Sequence, residues 1–96
     1  MTEKALSTLG LAYKAGRVVY GVESIRHEAG RCAGLLVAED AGAAAVREIE
    51  FLAAKTGIPI ARAPYSKETV GRALGKQVCA VVAVTDKRLY QLIVES

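Results

Sequence analysis

The sequence predicts an α/β fold, with helices covering both faces of a largely parallel sheet. Three observations predict it. Segments of helical periodicity alternate strictly with short apolar runs, in the order α-β-α-β-α-β-α-β-α. Two of the runs, 34–38 and 78–84, are apolar almost throughout, as strands buried on both faces are. Glycines stand where the periodicity changes, at Gly16, Gly21, Gly57 and Gly75.

Thr2 can cap a first helix that runs to about Ala15, with Leu6, Leu9 and Tyr13 as its inward stripe. Gly16 is placed as its C-terminal stop. Val18-Val19-Tyr20, a β-branched run bounded by glycines, reads as a short strand. After Gly21 the spacing of Val22, Ile25 and Ala29 is helical, and Gly30 reads as the stop. Gly34–Ala38 is the second strand, ended by Glu39-Asp40. Asp40 is expected to cap the next helix, 43–56, with Val46, Ile49 and Leu52 inward and Arg47, Glu48, Glu50 and Lys55 in water. Residues 58–62 form the third strand, and Pro59 restricts it to an edge or a strand start because it lacks an N–H. Ser66 caps a short helix carrying Val70 and Leu74, closed by Gly75. Residues 78–84 are the best central strand, and Thr85-Asp86 caps a last helix to about Val94.

The 96 residues suit one domain, 1–96, with a small core. Hydrophobic residues make up 52% and charged residues 24%, the balance of a soluble globular chain. One Phe, four Tyr and no Trp leave a core of Ala, Val, Leu and Ile and argue against single-strand binding by a row of stacking rings. The net charge of +3 permits nucleic-acid binding without demanding it. Cys32 and Cys79 stand far apart with no metal spacing, no signal peptide is read, and no apolar run reaches membrane length. A reduced cytoplasmic setting, with both thiols as small core residues, is the expectation.

Enzyme readings gain little. His27 is the only histidine, so no His-rich metal site is expected. Ser24 and His27 lie three apart on a helix but lack an orienting third group and an oxyanion hole. Glu39, Asp40 and Asp86 stand at strand ends, where catalytic acids occur, yet helix capping accounts for them. Neither Gly-x-Gly-x-x-Gly nor Gly-Lys-Ser/Thr is present. No catalytic residue, metal or cofactor is assigned. The stretch 14–31 is the most suggestive: a strand turns into a helix at Gly21 with basic residues on both sides, and a helix start suits a phosphate. An ordinary strand-to-helix connection explains the same pattern, and spacing alone favours it.

Five pieces, in order, resemble a known family. They are Leu9-Gly10-Leu11-Ala12 with Ala15-Gly16-Arg17-Val18-Val19 and Gly21; Leu36-Val37-Ala38-Glu39-Asp40-Ala41; Gly57-Ile58-Pro59; Ser66-Lys67-Glu68, Gly71 and Leu74-Gly75-Lys76; and Val82-Ala83-Val84-Thr85-Asp86. Together they resemble the bacterial YlxQ-type proteins, short members of the kink-turn-binding ribosomal protein family of the L-seven-Ae and L-thirty-e type. The resemblance spans about residues 5 to 94. It implies a three-layer α-β-α sandwich around a four-stranded mixed sheet, and RNA binding without catalysis. It places the RNA surface at the helix start after strand one, residues 21–27, and at the loop before the last strand, residues 75–78.

Carried over by residue, the resemblance assigns Gly21, Val22, Glu23, Ser24 and His27 to the RNA at the helix start. The family's Asn-Glu, with a Lys three further on, reads G·A pairs. Here those positions hold Glu23, Ser24 and His27, a departure that implies weakened or altered kink-turn selectivity. The backbone N–H groups need only Gly21 and the helix start. Lys14, Arg17, Arg26 and Lys76 are the expected phosphate contacts, and Gln77 lies in the second segment. Phosphate contacts position a protein while base edges specify sequence. The expected partner is ribosomal or other structured RNA, bound by a monomer, with no membrane. The alternative is a protein-interaction module on the same fold, which requires an exposed apolar patch around Leu11, Val22 and Tyr65.

Overall fold

The computed structural model describes residues 1–96, along which five helices and four strands alternate: α1 Glu3–Lys14, β1 Val18–Tyr20, α2 Val22–His27, β2 Gly34–Ala38, α3 Ala43–Thr56, β3 Ile60–Ala63, α4 Lys67–Ala73, β4 Val81–Val84 and α5 Lys87–Glu95. The strand order is β1-β4-β2-β3. The expectation of a largely parallel sheet is corrected. Only β2 and β3 are parallel, and β4 runs antiparallel to both of its neighbours.

The reason lies in the turn after α4. The chain doubles back until the Cys79 N–H donates to the Lys67 carbonyl, at 2.9 Å, at the beginning of α4. So β4 begins at the end of the sheet where β3 finished, and it enters reversed. Alternating helices and strands do not encode that choice. The mixed four-stranded sheet is the one the family resemblance implies.

Two cores flank the sheet, because alternate strand residues face opposite sides. On one side Leu36, Val82 and Val84 pack under α1, α4 and α5, against Leu9, Val70 and Ile93. On the other, Leu35, Val37 and Ala83 pack under α2 and α3, against Ile25 and Ile49. No polar or charged residue is buried. β2 is buried along its whole length, as expected of an inner strand with helices on both faces.

Several boundaries differ from the sequence reading. α1 buries Ala5, Leu9 and Ala12, with Leu6 and Tyr13 only half-buried, because small residues sit where α1 packs closest. α2 stops at His27, and Gly30 lies inside a 3-10 turn, Ala29–Arg31, rather than ending a helix. β3 begins at Ile60, with the Pro59 carbonyl accepting from the Leu35 N–H at 2.8 Å, so the proline sits at the strand start. β4 begins at Val81, which leaves 78–80 in the preceding loop. Asp40 does not cap α3, whose N-cap is Gly42. Its Oδ1 instead accepts from the Lys67 N–H at 2.7 Å, at the first residue of α4.

Candidate nucleic-acid interface

Gly21 joins β1 to α2 and has φ +87° and ψ 144°, a backbone state that side-chain-bearing residues rarely adopt. Its N–H donates to the Val81 carbonyl at 3.1 Å, extending the β1–β4 pairing. Its own carbonyl accepts from the Ile25 N–H at 3.0 Å, which opens the helix. A single residue therefore ends the strand and starts the helix. No side chain caps α2, so the N–H groups of Val22, Glu23 and Ser24 point outward without a protein acceptor. Ile25, fully buried, pins the short helix to the sheet.

The loop 75–78 is held down on α4. A Cβ on Gly71 would lie 2.8 Å from the Val78 nitrogen, so the loop packs this closely only against a glycine. The Lys76 N–H donates to the Gly71 carbonyl at 2.8 Å. From there the Lys76 side chain reaches across to β1. Its Nζ lies 4.6 Å from the centre of the Tyr20 ring and 5.8 Å from that of Tyr13. The two rings meet edge-on, 6.1 Å apart. An ammonium over aromatic faces is attracted by their quadrupoles. Polar interaction with the Tyr20 side chain, and then with Tyr13, holds the Lys76 pKa above the ordinary lysine value. The loop thus presents a charged ammonium beside Tyr20, the residue before Gly21.

This contact brings together the two segments, 21–27 and 75–78, that the resemblance names. Lys14 is exposed at the end of α1, next to Tyr13, and Gln77 is exposed in the loop. Arg17 lies apart. Its carbonyl accepts from the Thr85 N–H at 2.9 Å, at the far end of β1 from Gly21, a separation of about 13 Å at ordinary strand rise. Arg26 is already engaged: Nη1 pairs with Glu23 Oε1 at 2.8 Å, and Nη2 pairs with Glu48 of α3. Val22 is half-buried against the α2–α3 core. Ser24 opens onto a shallow groove along the outer edge of β1, with Glu28 and Arg31. His27 and Ser24 are both exposed.

Sequence reasoning missed Tyr13 and Tyr20. Tyr13 reads as core from its helical spacing, and the Lys76 ammonium that sits over both rings comes from a distant part of the chain. The acidic candidates resolve into structural parts. Asp40 caps α4, and Asp86 caps α5 by accepting from the Leu89 N–H at 3.0 Å. No cluster of three His, Cys, Asp or Glu could hold a metal ion. Nor do Leu11, Val22 and Tyr65 form one patch: Val22 packs on one face of the sheet and Tyr65 on the other. No helix is long and apolar enough to cross a membrane.

The sequence model of the family described as "Ribosomal protein L7Ae/L30e/S12e/Gadd45 family" matches residues 3–93. Among solved structures, the chain is similar to a protein from Bacillus halodurans C described as of unknown function. That match has 26% identity and a TM-score of 0.87, covering 96% of this chain and 94% of that one. It is also similar in fold to the Giardia lamblia 15.5kD RNA binding protein, with 19% identity and a TM-score of 0.75, covering 94% of this chain and 78% of that one. No curated protein sequence matches significantly.

Proposed function

This chain belongs to the ribosomal protein L7Ae/L30e/S12e/Gadd45 family, and we propose that it is a small non-catalytic protein that binds structured RNA. On this reading it is a bacterial YlxQ-type member. The observation that carries the proposal is the seating of Lys76 over Tyr20, which joins the α4–β4 loop to the helix start at Gly21. An uncapped first turn and a fixed ammonium side by side suit a phosphodiester. The RNA-binding description of the Giardia protein, whose fold this chain shares, is consistent with the reading.

Val22, Glu23 and Ser24 supply backbone N–H donors, Lys76 a charge, and Gln77 a neutral donor and acceptor beside it. The side chains that would read G·A pairs are Glu23, Ser24 and His27. The Glu23 carboxylate is drawn to Arg26, which lowers the local negative charge that would otherwise repel the backbone. Recognition therefore rests more on backbone geometry than on base edges, and kink-turn selectivity is weak or altered.

The test is a titration of a kink-turn RNA, the same RNA with its G·A pairs replaced, and a plain RNA duplex, each at several salt concentrations. The expected result is binding to all three, with a log–log salt slope of roughly −2 to −3 for about three neutralised phosphates. Binding to none, or an affinity indifferent to salt, would overturn the proposal in favour of a protein-interaction module.

A further inference from the structure

The free cations around Gly21 are distributed unevenly. On the α2 side, Arg26 is paired with Glu23 and Glu48, and Arg31 is paired with Glu28. On the α1 side, Lys14, Arg72 and Lys76 form no ion pair. Lys14 and Arg72 line one open groove between α1 and α4, about 430 Å³ in volume, together with Ser7, Thr69 and Leu11. No carboxylate lines it.

The groove is built by a close helix crossing. At Gly10 a Cβ would lie 2.9 Å from the Ala73 carbonyl oxygen, so α1 can approach α4 this closely only with a glycine there. That crossing sets the end of α1, with Tyr13 and Lys14, against the end of α4, with Arg72 and the loop that carries Lys76. The Arg72 guanidinium lies 3.5 Å from Thr69 Oγ1, at the limit of a hydrogen bond, and has no anionic partner. Leu11, 67% exposed, adds an apolar surface on which a sugar or a base can rest. Ser7 and Thr69 add hydroxyls.

Resting on the RNA-binding reading, we propose that the RNA backbone leaves the Gly21 helix start across Lys76 and runs into the α1–α4 groove, where Lys14 and Arg72 neutralise two further phosphates. The bound strand thereby turns away from α2 and α3. Charge complementarity decides the direction. The α2 cations would have to surrender carboxylates to meet a phosphate, while Lys14, Arg72 and Lys76 hold no carboxylate to give up. The Lys76 ammonium is the pivot, since Tyr20 and Tyr13 hold it between the two surfaces.

The test uses the full chain with the kink-turn RNA and the plain duplex as probes. The double substitution Lys14→Gln and Arg72→Gln should reduce the log–log salt slope by roughly 1.4 to 1.8, two phosphate contacts' worth. The charge-retaining pair Lys14→Arg and Arg72→Lys should keep the wild-type slope. So should Lys55→Gln, an exposed charge on α3. If the wild type binds with a salt slope that Lys14→Gln and Arg72→Gln leave unchanged, the groove is overturned and the RNA reading stands. If Lys55→Gln lowers the slope as much as the groove substitutions do, the groove is overturned as well. If the wild type binds neither RNA, the RNA reading falls and this inference falls with it.

Discussion

The Tyr90 ring lies against Gly34, so close that a Cβ there would meet ring carbons at 2.3 Å. Its hydroxyl continues past the strand and donates to the Leu35 carbonyl at 3.0 Å. A glycine inside a buried strand weakens it in isolation, and here the ring fills the space the missing side chain leaves. Gly34→Ala should therefore overpack the α5 side of the sheet and cost about 1–3 kcal/mol, read as a lower urea midpoint with an unchanged slope. Tyr90→Phe keeps the ring and loses only the buried hydrogen bond, so it should cost about 1 kcal/mol. A cost for Tyr90→Phe as large as that of Gly34→Ala would show that the hydroxyl, not the ring, holds α5 down. Cys79 offers another check at this scale. Burial pushes its thiol pKa up, and burial, outweighing the nearby Arg31 charge, does the same at Cys32. The thiolate is the reactive form. Both thiols should alkylate far more slowly at neutral pH in the folded chain than in denaturant.

Among the elements, α4 is fastened most deliberately. Ser66 accepts from the Thr69 N–H at 3.1 Å, and Asp40, from the end of β2, accepts from the Lys67 N–H at 2.7 Å. Two side chains from separate segments thus cap one seven-residue helix. Asp40→Ala should cost about 1 kcal/mol through the loss of a cap. Because α4 carries Arg72 and leads into Lys76, the same substitution should also lower RNA affinity. An unchanged affinity would mean that the helix end holds its position without Asp40. The sequence pointed to Asp40 as a cap but assigned it to α3, the next helix along the chain. Local spacing identifies a residue suited to capping, while the helix it reaches depends on where the sheet sets its neighbours. Ser66, whose target lies three residues away, was readable for that reason.

Over the whole molecule, the legible features are the local ones. Helix and strand positions follow from periodicity and from glycines, and the four strands and five helices lie close to where these placed them. Gly21 was legible because one glycine between a β-branched run and a helical run marks a junction. The strand order and the reversal of β4 were not, since the apolar run 78–84 shows burial but carries no direction. The site divides in the same way. Lys76 was named from the family resemblance, but its seat over Tyr13 and Tyr20 joins positions from opposite ends of the chain. The pairing of Arg26 with Glu48 requires α2 to lie beside α3. Both side chains of that pair are about half exposed, so its worth is small, and Arg26→Gln should change stability by under ~1 kcal/mol in thermal melts. A larger loss would mean that this contact, and not Ile25, fastens α2.

The central place of β4 also sets the order in which the protein can come into being. β1 and β2 do not bond to each other; each bonds to β4, which lies near the end of the chain. A ribosome releases the amino-terminal half first, and pairings between distant segments wait for the later partner. Until Ile60–Ala63 emerges no strand has a partner, and from then until β4 the chain has only the parallel β2–β3 pair to form, with β1 left unpaired. The sheet closes in one late event when residues 81–84 appear. Until then the apolar strands stand open, so a nascent chain stalled before Val81 should be protease-sensitive, and a chain that has left the ribosome through Ser96 should be resistant.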